Sequence, residues 1–155
     1  MSNICDHKSV GMFVWKEGKL LLIERAKFPF GFAVPAGHID GDSTFEESAV
    51  RELKEEVGLE AVSLELILEE RKENKCRRED GTWHYWKVYQ VEVSGDLKRS
   101  EDETKRAVWY TLEEIKGLAN KTEKYLNKEI ADEDWNDDPG LETVMYEFLK
   151  ELKII

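Results

Sequence analysis

A chain of 155 residues with a formal charge of -11 has room for one domain around a sizeable buried core. Its charge argues against binding nucleic-acid polymers or anionic membrane surfaces, both of which rely on basic patches. With 37% charged and 41% hydrophobic residues, the composition is that of a soluble globular protein and excludes a disordered tail.

The start, MSNICDHKSV, lacks a basic region followed by an apolar run, and no apolar stretch approaches the roughly 18 residues of a membrane span. Only two cysteines occur, Cys5 and Cys76, so neither a disulfide framework nor a four-ligand zinc site is spelled out. His7, His38 and His84 likewise form no recognisable metal spacing. A reducing, cytoplasmic setting is expected.

In chain order, VGMFVW (10–15), KEGK (16–19) and LLLIERA (20–26) predict a β-hairpin, two short apolar runs around a glycine-bearing turn. The loop KFPFGFAVPAGHIDGD follows, with its prolines and glycines, the kind of connection that carries function. From Thr44 to Val57 the pattern predicts a helix. Thr44 and Glu47 make a capping box, Ser43 and Glu46 offer a second register, and Gly58 terminates it.

After the helix, LEAVSLELILEE (59–70) reads as a strand, RKENKCRREDG (71–81) as a polar connection, and TWHYWKVYQVEV (82–93) as a long strand that pairs with the first. The remainder predicts a short strand at AVWY, a Thr-capped helical turn at TLEEI, a helical region in the 120s, and an amphipathic terminal helix after Pro139. No repeat, linker or second domain is visible.

At about 100° per residue, Val50, Leu53 and Val57 share one side of the predicted helix and can face a sheet. Glu52, Glu55 and Glu56 share the adjacent side, where like charges three and four residues apart repel. A hard divalent cation reverses that repulsion, because oxygen ligands suit magnesium, manganese or calcium. The bland alternative is a solvated helix face with Arg51 and Lys54 giving partial compensation.

The preceding loop, GFAVPAGHIDG, which can place backbone carbonyls beside the helix, shifts the weight toward the cation. Residues 37–59, GHIDGDSTFEESAVRELKEEVGL, resemble the Nudix box G-x(5)-E-x(7)-R-E-U-x-E-E-x-G-U, where U is a bulky aliphatic residue. Gly37 matches its first glycine, and Arg51, Glu52, Leu53, Glu55, Glu56, Gly58 and Leu59 match its second half. One position departs: Ser43 stands where the family places its first glutamate, with Asp42 one residue early.

The resemblance implies one Nudix domain over residues 1–155, an α/β/α sandwich with a mixed β-sheet. It further implies hydrolysis, with magnesium or manganese, of a nucleoside diphosphate linked to another moiety, or of a nucleoside triphosphate. By the same resemblance Glu52, Glu55 and Glu56 are metal ligands, one of them or a nearby carboxylate serves as general base, and Arg51 orients a box glutamate. The Ala36 carbonyl is a further metal-ligand position, and Glu103 resembles a downstream carboxylate that supports the metal in some relatives. A surface acid ahead of a strand is its bland reading.

Strand alternation places Trp83, Tyr85, Lys87 and Tyr89 on one face, and His84, Trp86 and Val88 on the other. Most of these aromatics are expected to fill a core, with Trp83 and Tyr85, nearest the loop, as the candidates for stacking on a base. Gly37 and His38 are the substrate-side candidates in the box loop. Arg71 to Arg78 holds five basic residues in eight positions, read as a solvated hairpin tip more readily than as a phosphate contact.

Two rivals stand beside this reading. Asp132, Asp134 and Asn136 have the spacing of the first ligands of an EF-hand loop, but Asp137 replaces its glycine and Thr143 its last glutamate, so calcium binding fails. A Nudix-fold nucleotide sensor without turnover is the second, set against the survival of Glu52, Glu55 and Glu56. The partner expected is a small nucleotide or other pyrophosphate, with a homodimer left open. The C-terminal stretch from about 118 is placed to cover the site or a partner.

Overall fold

A computed structural model describes residues 3–155. Its strands are β1 (Lys8–Phe13), β2 (Trp15–Lys16), β3 (Lys19–Arg25), β4 (Phe32–Ala33), β5 (Ala36–His38), β6 (Glu60–Lys72), β7 (His84–Ser94) and β8 (Thr104–Tyr110). Its helices are α1 (Phe45–Val57), α2 (Leu112–Leu126), α3 (Asp132–Asp137) and α4 (Thr143–Glu151). Among the described residues, no helix is long and apolar enough to cross a membrane.

The expected hairpin forms only at its tip. Trp15 pairs Leu20 and Lys16 pairs Lys19, around a turn in which Glu17 and Gly18 have φ of 53° and 79°, the left-handed pair that a two-residue hairpin needs. The run before it, Lys8–Phe13, leaves for another partner. It lies parallel to β7, pairing Ser9 with Trp86 and Phe13 with Gln90, and antiparallel to β5.

A mixed sheet ordered β5-β1-β7-β6 results, with β6 and β7 antiparallel as expected. A second, antiparallel sheet contains β2, β3 and β4, with β8 on the other side of β3. Backbone bonds from Leu21 N–H to Val14 O at 3.0 Å and from Met12 N–H to Pro35 O at 2.9 Å tie the two together.

Both faces of the strands are covered, and side-chain alternation sorts the core into two layers. Phe13, Leu20, Leu22, Trp86 and Val88 pack with Ile115 and Ala119 of α2 and with Val144, Met145, Phe148 and Leu149 of α4. Val10, Met12, Leu21, Ile23, Tyr89 and Val91 face the other way, onto Ala49, Leu53 and Val57 of α1. The α/β/α layering follows from that division.

Helix α1 begins where the capping pattern places it. The Thr44 hydroxyl accepts the Glu47 N–H at 3.1 Å, and Gly58, at φ 73°, donates back to Lys54 O at 3.0 Å. Its buried face differs from the expectation: Ser48, Ala49, Glu52, Leu53, Glu56 and Val57 are inside, while Val50 is 38% exposed. Ala49 and Leu53, four apart, set the inward direction, and Val50 is turned about 100° from Ala49.

The expected helical turn at TLEEI and the helix in the 120s are one continuous helix, α2, opened by a full Thr111/Glu114 capping box. The tail then returns to the sheet. Phe32 N–H bonds Gly140 O at 2.8 Å and Glu142 N–H bonds Phe32 O at 2.9 Å. Glu142 is buried and caps α4, accepting the Val144 and Met145 N–H groups at 3.2 Å each.

Burial raises the Glu142 carboxyl above its ordinary range, against the opposing pull of Arg25 and the two N–H groups. The unfolded chain therefore ionises first, and native stability present below about pH 4.5 is lost as pH rises through the folded-state value. Glu142→Gln keeps an acceptor oxygen and cannot ionise. Its melting temperature should fall less than that of the wild type between pH 4.5 and neutrality, as followed by circular dichroism; parallel curves would contradict this.

Candidate active site

Helix α1 delivers Glu52 and Glu56, one turn apart, to the end of β5. Their residual exposures are 7% and 3%, and such burial demands a partner for each. Arg51 Nη1 reaches Glu52 Oε1 at 2.8 Å, and the Ala36 N–H donates to Glu56 Oε1 at 3.0 Å. Gly37 is the residue that makes room: a Cβ there would stand 2.2 Å from Glu52 Cδ.

Glu103 arrives from the segment just ahead of β8, held by its carbonyl bond to Ala26 N–H at 3.0 Å. One carboxylate oxygen from each of Glu52, Glu56 and Glu103 lies within 4.8 Å of the others. Burial pushes Glu52 up to about 7 despite Arg51, and lifts Glu56 well above the carboxylate range, with Glu52 adding to the rise. Three converging oxygen donors, two of them buried glutamates that resist ionisation alone, are suited to a hard divalent cation.

Glu55 is not in this group. It lies about 100° around the helix from Glu56, its side chain is 52% exposed, and it meets Arg51 at 3.3 Å. Arg51 is the hub of the box: Nε pairs Asp42 Oδ2 at 2.9 Å, and Nη2 donates to His38 O at 3.1 Å. Asp42 also accepts the Ser48 hydroxyl at 2.7 Å. An acid one position ahead of Ser43 thus supplies a carboxylate that braces the arginine.

The three carboxylates form one end of a cavity of about 150 Å³. Ala36, Gly37 and His38 line its wall, and Arg25, Lys27, Lys75, Arg77 and Arg78 give it a basic side. The connection between β6 and β7 is therefore no free hairpin tip. Cys76 N–H bonds Gly81 O at 2.8 Å, Cys5 N–H bonds Glu79 O at 2.8 Å, and Arg78 makes a bidentate pair with Asp40, which folds the basic run over the cavity.

Trp83 and Tyr85 are not among the lining residues. Trp83 lies against His7 and Arg71, and the Tyr85 hydroxyl bonds Glu69 beside Phe45. His84 and Trp86, from the opposite strand face, line the cavity together with Ser9. The reason is register: Ser9 pairs with both His38 and Trp86, so one face of β5, β1 and β7 looks into the site. From the other side Glu142, Val144 and Met145 close it, so the C-terminal region does cover the site.

His38 turns toward Cys5, Cys76 and His84, and the four side chains bring one ligand atom each within 4.8 Å of the others. They lie far apart in sequence, which is why no spacing groups them. Burial lowers the imidazolium pKa of both histidines, His38 to about 4 with Arg78 adding to the fall.

A model of the NUDIX domain matches residues 6–132, and the chain belongs to that family. It is 31% identical over 121 residues to an ADP-ribose pyrophosphatase of Methanocaldococcus jannaschii, a match covering 76% of this chain and 69% of that protein. It is 32% identical over 108 residues to "Putative nudix hydrolase 1" of Caenorhabditis elegans. That match covers 68% of this chain but spans only 27% of the relative.

Solved structures share the fold. The MutT protein of Methanosarcina mazei Go1 superposes with a TM-score of 0.66 at 20% identity, over 94% of this chain and 91% of that one. The NUDIX domain of Shewanella oneidensis NrtR, solved with ADP ribose, gives 0.56 at 20% identity, over 70% and 75%.

If the glycine at 37 exists to admit Glu52, Gly37→Ala should displace that carboxylate while the fold survives. We expect Mn²⁺ affinity to fall at least about tenfold, the lower range for disturbing a group that supports a metal, with an unchanged circular dichroism spectrum. Wild-type affinity in this variant would show that Glu52 takes no part in holding a cation.

Proposed function

We propose that the protein is a divalent-metal-dependent pyrophosphohydrolase acting on a nucleoside diphosphate linked to a second moiety, with ADP-ribose as the first substrate to test. The observation that carries this reading is the two-signed cavity, with Glu52, Glu56 and Glu103 at one end and Arg25, Lys27, Lys75, Arg77 and Arg78 around it. A chain of charge -11 accepts a polyanion only where such local groups reverse its field. The archaeal relative's name and the ligand of the NrtR domain point to the same class of substrate.

The donor set fits magnesium or manganese, since all three side chains offer hard oxygens. When bound, such an ion neutralises phosphate charge and lowers the pKa of a water. The chain's own residues do the rest. Arg51 fixes the Glu52 rotamer, the Ala36 N–H fixes Glu56, and the basic side grips phosphate oxygens through charge-assisted hydrogen bonds.

Glu55, exposed and paired with Arg51, acts through that arginine as a positioning residue. Enclosure of the cavity by Glu142, Val144 and Met145 on its other side lowers the local dielectric and strengthens these interactions.

The test is product release from ADP-ribose, nucleotide sugars, dinucleotides and nucleoside triphosphates with Mg²⁺, comparing wild type with Glu56→Gln. Turnover of ADP-ribose to AMP should fall at least about 100-fold in the variant, since even supporting groups around a metal cost up to that factor. Nucleotide binding without turnover of any member would overturn hydrolysis and leave a sensor.

A further inference from the structure

We propose that Cys5, His38, Cys76 and His84 form a second metal centre, a closed tetrahedral zinc site that pins the N-terminal segment and the β6–β7 connection onto β5 and β7. Cys5 Sγ lies 3.3 Å from His84 Nε2 and 3.6 Å from His38 Nε2. A zinc ion bound by sulfur at about 2.3 Å and nitrogen at about 2.0–2.1 Å sets sulfur and nitrogen about 3.5 Å apart along a tetrahedral edge. One donor atom from each of the four residues falls within 4.8 Å of the rest, so all six edges are of the right order.

The surroundings prepare these atoms as ligands. His84 Nδ1 faces Asn74 O at 3.0 Å and Asn74 Oδ1 at 3.2 Å. Both oxygens are acceptors, so Nδ1 carries the proton and the Nε2 lone pair points at the cysteines, the arrangement typical of metal-bound histidine.

Each sulfur accepts a backbone N–H two residues on: His7 N–H to Cys5 at 3.3 Å and Arg78 N–H to Cys76 at 3.4 Å. Gly81 leaves space for one of them, since a Cβ there would stand 2.2 Å from Cys76 Sγ.

A plain hydrogen-bonded cluster explains less. Hydrogen bonding can satisfy the Cys5 sulfur against two imidazole nitrogens and an N–H, but it gives no reason for Cys76 to converge on the same point. Two thiolates, two neutral imidazoles and Zn²⁺ sum to zero charge, which suits a site that is largely buried. Sulfur and nitrogen donors select zinc over the hard cations suited to Glu52, Glu56 and Glu103, so the two centres take different ions. The zinc site rests on its own geometry; that it steadies Lys75 and Arg77 against a phosphate depends on the function proposed above.

The test begins with tag-free protein, purified under reducing conditions and desalted, whose zinc is measured by plasma mass spectrometry. One equivalent is expected, retained in Glu56→Gln and reduced to near zero in Cys76→Ser. Because that variant can fail for lack of folding, the wild-type protein is also stripped, reduced and titrated with Co²⁺. A thiolate-to-cobalt charge-transfer band with the intense visible absorption of four-coordinate cobalt, saturating at one equivalent, supports the site. Folded, reduced wild-type protein that carries no zinc and develops no such band overturns it, as does zinc that Cys76→Ser retains and Glu56→Gln loses.

Discussion

Two glutamates one helical turn apart are held almost out of water at the end of a sheet, and much of the structure is organised around that arrangement. Ionised carboxylates buried side by side repel each other and lose hydration. The fold offsets the cost with a guanidinium on Glu52, a backbone N–H on Glu56 and a glycine that lets the helix approach β5. What compensation remains incomplete shows as proton retention, with Glu52 pushed up to about 7. A site tuned this way is costly for stability and useful for gathering a cation.

Around that end the chain separates its charges. Acids dominate its sequence, yet Lys75, Arg77 and Arg78 of its most basic stretch join Arg25 and Lys27 in lining the cavity, the stretch tied by Arg78 to Asp40 and by backbone bonds to the N-terminal segment. The terminal helix completes the enclosure through Glu142 and Met145. Elements from both ends of the sequence are thus needed to make one concave site. The local geometry supplies the reason these residues meet there.

Local signals carried the reading where they were sufficient by themselves. Thr44, Glu47 and Gly58 fix the ends of α1 because capping acts within a few residues, and the Gly37 to Leu59 spacing contains two of the three glutamates that converge in the candidate site. Pairing at long range was not. Lys8–Phe13 looks like half of a hairpin, but parallel pairing with β7 draws it away, and only that register decides whether Trp83 and Tyr85 or His84 and Trp86 face the cavity. Glu55 shares its helix side with Glu52 on a wheel yet is exposed and paired with Arg51, and the third carboxylate near Glu52 and Glu56 is Glu103, from a distant segment. The meeting of Cys5 and Cys76 with His38 and His84 had no trace in spacing at all.

The central claim is that the carboxylates of Glu52 and Glu56 hold a divalent cation. Its most direct test is Mn²⁺ binding to the intact protein, followed by loss of the free ion's paramagnetic resonance signal, in wild type and in the Glu52→Gln, Glu56→Gln double variant. The account predicts saturable binding in the wild type and none at the same concentrations in a folded double variant. Equal binding in both would contradict it.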